Sequence, residues 1–138
     1  MNDNHYGSLD ACKRLLDVGK IQIDTDFCWF ERETDDWIIL PSDDVSIKAI
    51  KDNHAYPAVC MVEVWRELPV SIYHHTKKRT YNLEIGKTLQ GGTYAGYIYE
   101  EDGFYEHYEE ELQVIIADNP ADAMIDLLIH IKGIDAHK

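Results

Sequence analysis

The stretch TYAGYIYEEDGFYEHYEE, residues 93–110, decides how this chain folds. Aromatic and β-branched residues recur on both sides of Asp102-Gly103, a dipeptide that tolerates the positive φ angles of a two-residue turn. A turn there sets an antiparallel register in which Glu101 faces Phe104, Glu100 faces Tyr105, Tyr99 faces Glu106, Ile98 faces His107 and Tyr97 faces Tyr108. Both faces of such a hairpin are mixed. It belongs near a sheet edge, where its charges discourage edge-to-edge pairing with other chains.

Working outward, VSIYHH (70–75) and TYNLEIGKTL (80–89) before this stretch and LQVIIA (112–117) after it are further strand-like runs. Polar or glycine turns, including Gly91-Gly92, separate them, which predicts an antiparallel meander of four or five strands. Beyond it Asn119 caps a helix, Pro120 takes its first position, and Ala121, Met124, Ile125, Leu128 and Ile131 form a stripe over about 120–132. Ala123, Leu127 and Ile129 widen that stripe until only Asp122, Asp126 and His130 remain as a narrow polar line. One sheet face does not cover so much, so a second element, another helix or a partner subunit, is expected on this helix.

Upstream, Ser8 precedes LDACKRLLDVG, with Leu9, Cys12, Leu15 and Leu16 at helical spacing and Gly19 as a left-handed stop, predicting a helix over 9–18. The sequence DFCWFERETDDWIIL (26–40) reads as a hairpin turning at Glu33 to Asp36. PSDDVSIKAIKDNHAYP (41–57) has proline at both ends and little periodicity, and is expected to be a solvated connecting loop. Met61, Trp65 and Leu68 then recur at helical spacing until Pro69 ends a short middle helix. The expected fold is one α+β domain over residues 1–138: an N-terminal helix and hairpin, a short middle helix, an antiparallel meander, and a C-terminal helix packed on the sheet.

At 138 residues, a chain buries about 68 % of its unfolded surface and needs no disulfide staples. Cys12, Cys28 and Cys60 are odd in number, widely spaced and set among apolar neighbours, which suits reduced core thiols. No run is long and apolar enough to cross a bilayer, and MNDNHYGSLDACK lacks the basic and apolar parts of a secretory signal. The expected compartment is the cytoplasm.

The net charge of −13 is unevenly spread. Residues 1–57 carry twelve acids and six bases, 58–99 three and five, and 100–138 eleven and two. Direct nucleic-acid binding is disfavoured, because phosphate affinity rests on clustered Lys and Arg. The one basic cluster, HHTKKRT at 74–80, reads as a solvated hairpin tip.

No motif in the chain meets the full requirements of a known chemistry. IGKT at 85–88 ends like a phosphate-binding loop, but Tyr81 stands where glycine is required and LQGG does not begin a helix. GGTYAG at 91–96 opens a strand, so its glycines suit a turn and a bulge. Ser8, Ser42, Ser46 and Ser71 lack a nucleophile elbow. Asp122, Asp126 and His130 share a helical face and read as a solvated stripe before a metal site. His74-His75 points to opposite strand faces. No motif calls for a cofactor.

Two segments carry a resemblance. YPAVCMVEVWRELP (56–69) and DNPADAMIDLLIHIKG (118–133) resemble segments of small uncharacterised proteins from bacteriophages, prophages and mobile elements of gut bacteria. The resemblance implies a phage or mobile-element origin and transfers no catalytic or binding residue. The expected function is then non-enzymatic: binding of a host or phage protein through an acidic, tyrosine-rich surface of Tyr97, Tyr99, Glu100, Glu101, Tyr105, Glu106, Tyr108, Glu109 and Glu110. Tyrosines supply contact area, and carboxylates among them can imitate a phosphate backbone to a nucleic-acid-processing enzyme. The alternatives are a small metal- or carboxylate-dependent enzyme using His107 or His130, and a homo-oligomer joined through the last helix.

Overall fold

Helix α1 (Leu9–Asp17) begins where Ser8 Oγ accepts the Ala11 N–H at 3.2 Å, as its capping chemistry predicts. The computed structural model describes residues 5–108 and 115–136. The left-handed residue after α1 is Lys20, at φ 54°, and not Gly19. Gly19 is required for a different reason: a Cβ there would lie 2.9 Å from the Leu15 carbonyl oxygen.

Strands β1 (Phe27–Glu33) and β2 (Asp36–Pro41) form the expected hairpin, with Asp35 at φ 60° in its turn. The expected loop over 41–57 is corrected. It holds a 3-10 turn at Ser42–Asp44, the short helix α2 (Ile47–Lys51) and strand β3 (Ala55–Pro57), which pairs with β1. A five-residue helix is too short to show a period, although Ser46 caps it by accepting the Ala49 N–H at 3.1 Å. The result is a three-stranded sheet in the order β2-β1-β3.

Helix α3 (Met61–Glu67) follows, its start fixed by Glu63 Oε1 accepting the Cys60 N–H at 2.8 Å. Its buried side is rotated from the Met61, Trp65 and Leu68 stripe: Val64 and Leu68 are buried, whereas Trp65 is 54 % exposed. Then come β4 (Ser71–His74), β5 (Arg79–Lys87), β6 (Thr93–Glu101), β7 (Phe104–His107) and β8 (Ile115–Ala117). The first four run in meander order, and β8 pairs with β6. Ile98 pairs with His107 and Thr93 with Ala117, five positions apart on β6 but ten on the partner side.

Helix α4 (Pro120–Ala136) is capped as expected by Asn119, whose Oδ1 accepts the Ala121 N–H at 2.8 Å. Ala121, Ala123, Met124, Ile125, Leu127, Leu128 and Ile131 are all buried. The helix packs on β6 and β8 on one side and on α1 and α3 on the other, so two helices of this chain are the second element its wide stripe requires. The polar line on α4 is corrected from a solvated stripe. Asp122 accepts the Ser8 N–H at 2.6 Å, and Asp126 takes Arg14 Nη2 at 2.9 Å and Nε at 3.3 Å. These contacts tie α1 to α4.

All three cysteines are free thiols; Cys12 and Cys28 are buried, and burial pushes the Cys12 thiol up to about 11. No described helix is long and apolar enough to cross a membrane.

Candidate functional site

The β6–β7 hairpin takes the register that its sequence sets, with Ile98↔His107, Tyr99↔Glu106, Glu100↔Tyr105 and Glu101↔Phe104 paired. The Tyr108 N–H extends the ladder to the Tyr97 carbonyl at 2.9 Å. Asp102 and Gly103 make the turn with φ of 50° and 84°, both in the left-handed region of a two-residue hairpin turn.

Alternation then divides the side chains between two faces. The inner face, toward α4, takes Tyr97, Tyr99 and Glu101 with their partners Tyr108, Glu106 and Phe104. Tyr97 is wholly buried, and its hydroxyl donates to the Pro69 carbonyl at 2.6 Å. Burial holds that phenol far above its ordinary pKa. Tyr108 is also buried, with its ring 4.9 Å from Tyr81 and 5.3 Å from His74. Tyr97 and Tyr108 are therefore core residues, which corrects their assignment to a contact surface.

Glu106 sits at the centre of a charged cluster. Its Oε2 accepts the Tyr81 hydroxyl at 2.8 Å and Arg79 Nη1 at 2.6 Å, and its Oε1 accepts Lys77 Nζ at 3.2 Å. The Tyr81 hydrogen bond above all, then those from Arg79 and Lys77, hold the carboxyl down at about 2. The Arg79 guanidinium lies 4.8 Å from the Tyr99 ring centre and 5.5 Å from that of Phe104. HHTKKRT does turn between β4 and β5, but two of its cations fold back onto the hairpin. The expected basic tip and one of the expected acidic contacts thus neutralise each other.

The outer face carries Ile98 and Glu100 with His107 and Tyr105. Glu84, on the neighbouring strand, accepts the Tyr94 hydroxyl at 2.8 Å and the Tyr105 hydroxyl at 3.5 Å. Tyr94 lies across Gly86, where a Cβ would come within 2.6 Å of its hydroxyl oxygen. At the hairpin end Glu100, Glu101, Asp102 and Gly103 are exposed. Phe104 and Tyr105 stand beside them, 52 % and 48 % exposed. Glu101 accepts a hydrogen bond from the Tyr99 hydroxyl, a contact that raises the phenol pKa. Among the described residues no cation pairs with Glu100, Glu101 or Asp102.

Of the nine residues expected to form the surface, the structure brings Glu100, Glu101 and Tyr105 to the exposed tip, with Tyr99 half-buried at its side. Glu109 and Glu110 lie outside the described residues. Sequence reasoning missed Asp102 and Phe104 as surface members, although the turn that places them was legible. It also missed Glu84, which could be found only by aligning β5 with β6.

The histidines considered for catalysis are exposed: His107 packs its ring 5.3 Å from Tyr105, and His130 lies on α4. Among the described residues no group of three or more His, Cys, Asp or Glu side chains is placed to hold a metal ion. Comparison of the chain with protein-family models, with curated proteins and with solved structures gave no match.

Proposed function

We propose that this chain is a non-enzymatic accessory protein of phage or mobile-element type that binds a host or phage protein through the tip of its β6–β7 hairpin. One observation carries the reading: Glu100, Glu101 and Asp102, which meet no cation among the described residues, adjoin two half-exposed rings, Phe104 and Tyr105. Aromatic side chains give contact area at small entropic cost, and a one-signed rim selects a partner of opposite charge. The pairing of Glu106 with Lys77 and Arg79 leaves this tip as the hairpin's uncompensated acid among the described residues. The two resembling segments support the origin. A basic nucleic-acid-processing enzyme is the partner class that such a tip suits, since exposed carboxylates can occupy a site built for phosphates.

The test compares proteins captured from host lysate by the natural chain and by a Glu100→Lys, Glu101→Lys, Tyr105→Ala variant. The variant is expected to lose a basic partner that elutes from the natural chain with salt and competes with duplex DNA. Retention of every captured protein by the variant would end this reading.

A further inference from the structure

The three-stranded sheet, in the order β2-β1-β3, ends on β2, whose outer edge pairs with no strand among the described residues. The direction of its backbone groups follows from the ladder. Glu31 N–H donates to the His54 carbonyl and Ala58 N–H to the Phe27 carbonyl, both at 2.9 Å, so Phe27, Trp29 and Glu31 address the β3 side. Cys28 and Phe30 then address β2, through their partners Leu40 and Ile38. Alternation turns the N–H and C=O of Trp37 and Ile39 outward.

Edge strands are ordinarily protected by an unpaired charge, a proline or a covering element. Here WIIL, 37–40, is uniformly apolar, and Pro41 stands only at the end of the strand. The one charge in β2, Asp36, is bound by both Nε and Nη2 of Arg32, at 2.8 and 2.7 Å. The Asp36 charge is therefore compensated inside the monomer, and Lys13 Nζ lies over the Trp37 ring, 4.9 Å from its centre.

We propose that β2 is an isologous interface that pairs antiparallel with β2 of a second copy, about a two-fold axis at Ile38. In that register Trp37 faces Ile39 of the second copy and Ile39 faces its Trp37. All outward N–H and C=O groups of the two residues then find partners, with none left over. Trp37 and Ile39 share a sheet face, giving an aromatic–β-branched cross-strand pair on each side of the axis. Asp36 falls opposite Leu40, so no like charges are opposed. A self-complementary patch closes as a dimer and does not propagate, and the product is a continuous six-stranded sheet. This interface lies on a different sheet from the acidic tip and does not rest on the partner reading.

The test is the solution mass of the full chain over rising concentration at low and high salt, since a net charge of −13 opposes association until it is screened. The scattering mass is expected to rise from 16.0 kDa toward twice that value as protein and salt increase. Ile39→Pro removes an outward N–H without touching the β1 ladder, and should stay at monomer mass with near-ultraviolet dichroism unchanged. Hydrogen exchange of the natural chain gives a second readout that needs no variant: the Trp37 and Ile39 amides should slow with concentration, whereas exposed amides at the Asp102-Gly103 turn should not. A monomer mass under all conditions, as expected if the edge awaits a strand from another protein, overturns the proposal. So does a dimer in which those two amides exchange at an unchanged rate, or one that a folded Ile39→Pro chain still forms.

Discussion

Glu106 shows how far a single residue's behaviour depends on groups remote in sequence. Its carboxyl is held at about 2 by Tyr81, Arg79 and Lys77, below the ordinary glutamate value of about 4.3. A depressed folded-state pKa contributes stability that is present above the unfolded value and lost as pH falls through the folded one. The urea midpoints of the natural chain and Glu106→Gln should therefore differ most near neutrality and converge as pH falls from about 4.3 toward about 2. A gap independent of pH would show that the carboxylate charge contributes nothing. Tyr97→Phe tests the inner face in the same way. Removing the hydroxyl leaves the Pro69 carbonyl without its 2.6 Å donor, and the expected loss is about 1–3 kcal/mol in chemical denaturation. Neither role was legible in the sequence. Tyrosine suits a surface or a core with equal ease, because its ring is apolar and its tip polar, and alternation assigns a face without saying which face is covered.

At the scale of elements, local chemistry was the better guide. Asp102-Gly103 set the turn, and Ser8 and Asn119 accept the N–H groups that open their helices. The turn itself makes a prediction. Gly103 has φ 84° with nothing within 4 Å of a Cβ, so Gly103→Ala meets backbone strain and no steric clash. A cost of about 1–2 kcal/mol is expected, read as a lower urea midpoint, whereas Asp102→Asn should leave it unchanged. Equal stability of Gly103→Ala and the natural chain would remove the left-handed turn. Elements with few residues were the ones missed. Helix α2 and strand β3 have five and three residues, too few to establish a period, and β3 exists because β1 offers it a ladder. The solvated loop expected there was the natural reading of a stretch whose order is tertiary.

At the scale of the molecule, a net charge of −13 repels itself in the folded chain. Arg14–Asp126, Arg32–Asp36 and the Lys77 and Arg79 pairs to Glu106 bring some cations onto acids, but the hairpin tip keeps its charge. At concentrations low enough to keep the chain monomeric, adding sodium chloride from about 0.05 to 0.5 M should raise the thermal midpoint as the Debye length shortens. A midpoint that falls with salt would mean that ion pairs outweigh repulsion. The amino-acid sequence by itself determined where α1 and α4 begin, the β1–β2 hairpin, the turn and register of the β6–β7 hairpin, and the need for a second cover on α4. These follow from hydrogen bonds and periodicities spanning a few residues. Tertiary structure alone decided that α1 and α3 supply that cover, that Tyr97 and Tyr108 turn inward, and that Lys77 and Arg79 reach Glu106. Those outcomes depend on strand order and on which sheet face meets the helix, and side chains 25 to 29 positions apart come into contact only after the sheet has formed.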